Sequence, residues 1–120
     1  SVNTGFTLAD RTWKPPMDMN ETPEEVIIVA EVPGVDKEDL EVEISSKAVR
    51  IKGNRYARHC SGNATYRLAE LQYGRFERIL FLPAPIDPEI VSAAYQNGLL
   101  EIRLAKQPPE KIHKIPIEDG

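Results

Sequence analysis

No stretch of 12 or more residues in this chain carries an apolar stripe at helical spacing. What it carries instead is alternation. Leu40-Glu41-Val42-Glu43-Ile44 changes character at every residue, and Leu100, Ile102 and Leu104 alternate with Glu101 and Arg103. A period of two belongs to a strand with one face buried and the other in water. Asn97-Gly98 stands between two β-like runs. That dipeptide readily supplies the two positive φ angles of a tight hairpin turn. The 10 prolines are scattered and often close an apolar run, where their rings also forbid a continuing helix. With 8 Val, 11 Ile and 5 Thr, 24 of 120 residues are β-branched and suit a pleated surface. The length fits one domain, and about seven short strands predict an antiparallel β-sandwich.

The individual runs can be placed. Val26, Ile28, Ala30 and Val32 fall on one face of a first strand, with Ile27, Val29 and Glu31 on the other. Val32-Pro33-Gly34 stops it, and Asp36 is positioned to cap a single helical turn. Leu40, Val42 and Ile44 then face inward, Ser45-Ser46-Lys47 turns, and Val49 and Ile51 continue the pattern until Gly53. Residues 54–65 form a polar loop, long for a hairpin, with Tyr66-Arg67-Leu68-Ala69-Glu70 as a short strand within it. Phe76, Arg78, Leu80 and Leu82 share a face of the run 75–82. Arg78 therefore sits among apolar neighbours, where an unpaired charge is costly. Ile90 to Tyr95 and Leu99 to Leu104 flank the Asn97-Gly98 turn. Residues 1–15 look irregular, with Phe6, Leu8 and Trp13 as isolated apolar groups that either trail freely or dock on a partner.

Composition excludes several classes. One cysteine rules out a disulfide framework or a cysteine-rich zinc module and fits a reducing compartment. No apolar run approaches the ~20 residues of a membrane helix. No secretory signal is visible, although the chain opens with Ser1. A net charge of −4 argues against nucleic acid as the main partner. No phosphate loop, metal-ligand cluster or nucleophile–base spacing stands out, so no catalytic, cofactor or metal site is assigned. His59 and Cys60 are adjacent, and neighbours on an extended chain point apart, so Cys60 reads as a bystander thiol.

Beyond Lys106 the chain changes character. Gln107-Pro108-Pro109-Glu110-Lys111 is a stiff polar linker. Ile115-Pro116-Ile117 follows, its two isoleucines pointing the same way if extended. Five motifs in order resemble those of the α-crystallin domain of small heat-shock proteins. They are Trp13-Lys14-Pro15-Pro16-Met17-Asp18-Met19-Asn20-Glu21, Val32-Pro33-Gly34-Val35, and Gly74-Arg75-Phe76-Glu77-Arg78 leading to Leu82-Pro83. The fourth is Ala93-Ala94-Tyr95-Gln96-Asn97-Gly98-Leu99-Leu100, with Leu99 where valine is usual, and the fifth is Ile115-Pro116-Ile117.

The resemblance implies an all-β, immunoglobulin-like antiparallel sandwich and a cytoplasmic, ATP-independent chaperone of bacterial or plant type with no enzymatic activity. It divides the chain into the remnant of an N-terminal arm at 1–12, a domain at 13–106 and a C-terminal extension at 107–120. It implies that Ile115, Pro116 and Ile117 anchor the tail in a groove on another subunit, between the strand of Leu40, Val42 and Ile44 and the strand of Ile90, Ser92 and Ala94. Small Ser92 and Ala94 opposite larger aliphatics would leave sockets there. It implies a strand-swapped dimer in which Tyr66, Arg67 and Leu68 pair with Met17, Asp18 and Met19 of a partner, while Arg78 meets an acidic residue such as Glu70. Partners are then further copies of this chain and partly unfolded clients, with no nucleic acid, membrane or small-molecule substrate. The plainer readings are a loose tail, a flexible loop and a solvated Arg78. A β-sandwich adaptor of the CS co-chaperone type is the rival function, and an enzyme using the His59–Cys60 loop a third.

Overall fold

A computed structural model describes residues 13–58 and 61–120. Seven strands make two antiparallel sheets: β1 (Met17–Glu21), β2 (Glu25–Glu31), β3 (Leu40–Ile44), β4 (Ala48–Arg55), β5 (Gly74–Phe81), β6 (Ile86–Gln96) and β7 (Leu99–Lys106). One sheet has the order β1-β2-β7-β6 and the other β3-β4-β5. The core lies between them. Val26, Ile28 and Ala30 of β2 and Leu100, Ile102 and Leu104 of β7 face Val49 and Ile51 of β4 and Phe76 of β5. Among the described residues no polar or charged side chain is buried. The alternation read for β2, β3 and β7 is the alternation of burial along them.

Asn97 and Gly98 adopt φ of 54° and 79°, the two positive angles of a type I′ turn. The single helical turn is a 3-10 turn at Lys37–Asp39, but the Asp36 side chain does not cap it. The turn closes through the backbone, with the Asp39 N–H donating to the Asp36 carbonyl at 2.8 Å.

Gly53 does not end its strand. β4 runs on to Arg55 because Gly53 passes beneath the Phe76 ring, where a side chain would not fit. Trp13 is also not isolated. Its indole lies edge-on to Phe76 with centroids 5.2 Å apart, and its Nε1 donates to the Gly74 carbonyl at 3.1 Å. The Arg55 guanidinium covers the indole from 4.0 Å while donating to the carbonyls of Gln72 and Pro33. One side chain thus ties the entering segment, the Pro33-Gly34 turn and the far end of the long loop together. Tyr66–Glu70 forms no strand: residues 56–58 and 61–73 lack regular structure, and Tyr66 to Glu70 are exposed. Within one chain that segment has no ladder to join, and an isolated strand cannot satisfy its own backbone groups.

Candidate edge groove and dimer surfaces

Two unpaired strand edges lie side by side. β3 ends one sheet and β6 ends the other. At one end, the Ile86 N–H that opens β6 donates to Ser46, in the turn after β3, at 2.9 Å. At the other end, the Tyr95 hydroxyl is shared between the carbonyls of Val32 and Val35, at 2.7 and 2.8 Å, just before the turn that opens β3. The two edges therefore run antiparallel along the same side of the sandwich, with no hydrogen bond between strands β3 and β6. On the β3 side, Leu40, Val42 and Ile44 pair with Gly53, Ile51 and Val49 and are half-buried against the core, as read from the sequence.

The β6 side needs a correction of one residue. Val91, Ala93 and Tyr95 pair with Leu104, Ile102 and Leu100, which are buried. Cross-strand partners share a face, so Val91, Ala93 and Tyr95 point inward. Ser92 and Ala94 pair with Arg103 and Glu101 and point outward to water, and Ile90 lies exposed in the irregular stretch before them. The cause is the break in register between Ile86 and Val91, where one irregularity exchanges the faces. The signal was present in the sequence: counting back across Asn97-Gly98 from an inward Leu100 gives Tyr95, Ala93 and Val91. Ala93 is then the small residue between Val91 and Tyr95, and at this open edge Val91 and Ala93 themselves remain exposed.

The residues of the expected dimer surface are accessible. β1 is an edge strand, and Asp18 and Met19 are exposed on it while Met17 rests against the core. Tyr66, Arg67, Leu68 and Glu70 all lie exposed on the long loop. Arg78 pairs with buried Ile51 on the inner face of β5 and donates to the Pro15 carbonyl at 2.8 Å, so it is no solvated strand residue. Ile115 and Ile117 are 83% and 99% exposed in the unstructured tail, and Ile112 before them is 95% exposed. Residues 1–12, with Phe6 and Leu8, and the pair His59–Cys60 lie outside the described residues.

On the outer face of the three-stranded sheet, Arg50 binds Glu43 at 2.7 Å and approaches Glu77 at 3.5 Å, while Lys52 lies 3.2 Å from Glu41. The hydrogen bond from Arg50 holds the Glu43 carboxyl below its ordinary value of 4.5. Among the described residues no group of three metal-ligating side chains occurs, and no helix is long and apolar enough to cross a membrane.

Known proteins resolve the family. The profile of the Hsp20/alpha crystallin family matches residues 18–118. This chain belongs to the Hsp20/alpha crystallin family. Small heat shock protein C2 of Rickettsia felis is 31% identical over 104 residues, covering 87% of this chain and 68% of its own. The 22.7 kDa class IV heat shock protein of Pisum sativum is 33% identical over 97 residues, covering 80% of this chain and 49% of its own. This Hsp20-family chain thus spans about two thirds of the one and half of the other. Among solved structures, heat shock protein 16.0 from Schizosaccharomyces pombe superposes with a TM-score of 0.75 at 31% identity, over 89% of this chain and 100% of its own. A small heat-shock protein from Xylella fastidiosa, described as having a distinct high order structure, gives 0.74 at 29% identity, over 89% of this chain and 98% of its own. Family and fold together support a chaperone role; the family's members are ATP-independent chaperones, not enzymes.

Proposed function

We propose that this chain is a holdase: without nucleotide, it binds apolar segments of partly unfolded proteins and keeps them from aggregating. The observation that carries the reading is the pair of unpaired edges of β3 and β6, with half-buried Leu40, Val42 and Ile44 on the β3 side, in a chain whose tail exposes Ile115 and Ile117. In this reading residues 13–106 form the domain, residues 107–120 a docking extension, and the groove is lined by Leu40, Val42 and Ile44 against Val91 and Ala93. The Ile115-Pro116-Ile117 tail of another copy occupies it at rest.

Burying one isoleucine is worth about 1.5–3 kcal/mol, and two give at most about 6 before the tail is ordered. A single contact is then millimolar to micromolar, and several together hold an assembly whose subunits still exchange. Weak contacts open on warming and release the apolar grooves to clients. Dimerisation by exchange is supported by the open edge of β1 and by a loop at 56–73 long enough to reach it. Laying Tyr66-Arg67-Leu68 along Met17-Asp18-Met19 of a partner would cover an edge that otherwise invites aggregation. In this reading Arg78, which donates to the Pro15 carbonyl, meets Glu70 of the partner's exchanged loop.

The test is light scattering from a heated, aggregation-prone client with and without this chain and without nucleotide. Suppression at near-stoichiometric ratio is expected. Undiminished scattering at several-fold excess, together with tight binding of one folded partner, would replace the holdase by an adaptor.

A further inference from the structure

We propose that Asn97-Gly98 is a site of spontaneous covalent change that the folded turn holds shut: once the β6–β7 hairpin opens, Asn97 loses its side-chain amide as ammonia, the backbone is re-routed through its β-carbon, and the hairpin cannot close again.

The chain carries asparagine at 3, 20, 54, 63 and 97, and glycine follows it only at 97. Glycine has no side chain to shield its backbone nitrogen. In the reaction the Gly98 nitrogen attacks Cγ of Asn97 and gives up its proton. The bond from Cγ to the side-chain nitrogen breaks, and ammonia carries the proton away. A cyclic imide is left. Water adds to one of its carbonyls and opens it. Opening on one side gives aspartate. Opening on the other gives isoaspartate, whose main chain runs through Cβ and Cγ while the former main-chain carbon becomes a free carboxylate. Asn97 is exposed, so water has access.

The folded turn forbids the first step. Asn97 and Gly98 hold φ of 54° and 79°. A type I′ turn sets ψ of its first residue at about +30°. The ring closes only when Cβ and the next nitrogen eclipse each other about the Cα–C bond. At that ψ they lie nearly opposite, so the bond must swing through more than a right angle. Gly98 is not free to follow. Its carbonyl accepts the Val32 N–H at 2.8 Å, and it sits so close to Pro33 that an added Cβ would stand 2.9 Å from the proline Cβ. Two residues earlier, the Tyr95 hydroxyl grips the Val32 and Val35 carbonyls. The swing therefore waits until the hairpin leaves the Pro33-Gly34 turn. Afterwards the return is blocked. The isoaspartyl chain is longer by a backbone carbon between Gln96 and Leu99, whose pairing a two-residue turn closes.

The experiment follows residue 97 by fragment mass spectrometry that separates asparagine, aspartate and isoaspartate. It compares the folded chain, a peptide of residues 93–101, Tyr95→Phe, Gly53→Ala and Asn97→Gly in one buffer, below the melting midpoint of every chain. The peptide is expected to convert about tenfold or more faster than the folded chain, since two hydrogen bonds of ordinary strength hold the turn. Tyr95→Phe should speed conversion of the folded chain about fivefold. Gly53→Ala strains the other sheet and should not. Isoaspartyl chains made in urea and separated should fail to regain the parental melting midpoint. Asn97→Gly keeps a turn-forming pair without a side chain to cyclise, and should regain its own midpoint after the same treatment. A folded chain converting as fast as the peptide overturns the proposal, and so does earlier ammonia loss at Asn20, Asn54 or Asn63 in urea. Tyr95→Phe at the parental rate, or equal acceleration by Gly53→Ala, overturns the opening of the hairpin as the trigger. Isoaspartyl chains that refold to the parental midpoint overturn the block on return. If Tyr95→Phe does not fold, the peptide and refolding arms still decide.

Discussion

Replacing Gly53 by alanine adds a single carbon, and the structure assigns that carbon a heavy cost. An ideal Cβ at Gly53 would stand 2.4 and 2.5 Å from Cζ and Cε2 of Phe76 and 2.9 Å from the Asp39 carbonyl oxygen. Carbon atoms pack best at about 3.5–4.0 Å, so the ring would have to retreat by about 1 Å or more. It has no room to do so. Phe76 is 2% exposed and lies edge-on to Trp13, whose indole is fixed by the Gly74 carbonyl and covered by Arg55. Overpacking of this kind costs about 1–3 kcal/mol, and Gly53→Ala belongs at the upper end. Phe76→Leu alone destabilises by leaving a cavity, but in the double variant the shorter side chain makes room for the methyl group. The two changes should therefore be less than additive by about 1 kcal/mol or more, within the range for residues in contact. Urea denaturation of the four proteins, followed by the fluorescence of Trp13, measures this; it is the chain's 1 tryptophan. Gly53→Ala within about 0.5 kcal/mol of the parent, or strict additivity, would refute the packing argument.

Two further outcomes follow from the geometry. Tyr95→Phe strips the hydroxyl shared by the Val32 and Val35 carbonyls and should cost about 1–3 kcal/mol in the same denaturation assay, with the Asn97-Gly98 hairpin opening first by hydrogen exchange. The Glu43 carboxyl is held below 4.5 by Arg50, so its contribution is present at neutral pH and lost as pH falls through that lowered value. Thermal melts of the parent and Glu43→Gln should differ above pH 5, converge in acid and converge again in high salt, since the pair is exposed.

The sandwich was legible because its strands alternate plainly. Leu40 to Ile44 and Leu99 to Leu104 state both period and phase, and Asn97-Gly98 fixes the turn between the last two strands. The phase of β6 was legible only from its far end, by counting back from Leu100 across Asn97-Gly98. Ile86 and Ile90 have the same parity, but the irregular stretch between Ile86 and Val91, which holds Pro88, exchanges the faces. Gly53 read as a stop because a glycine's need for space is set by a ring 23 positions later in the chain. Trp13 read as isolated for the same reason: its partners are Gly74, Phe76 and Arg55. Tyr66-Arg67-Leu68 has strand-like residues but no ladder to join within one chain, so it forms no strand there. Ile115 and Ile117 stand out only through the motif, since they are largely exposed and nothing in their own chain names a groove for them.

The groove and its one-residue phase are tested most directly by solution mass against concentration for the parent, Ala93→Ile and Ser92→Ile. Ala93→Ile enlarges the inner face of β6 between Val91 and Tyr95 and should reduce the assembly to the mass that Ile115→Ala/Ile117→Ala leaves. Ser92→Ile adds its side chain to the outer face beside Arg103 and should leave the mass unchanged. Collapse of Ser92→Ile with Ala93→Ile assembled like the parent would contradict the phase, and parental mass in both would contradict the groove.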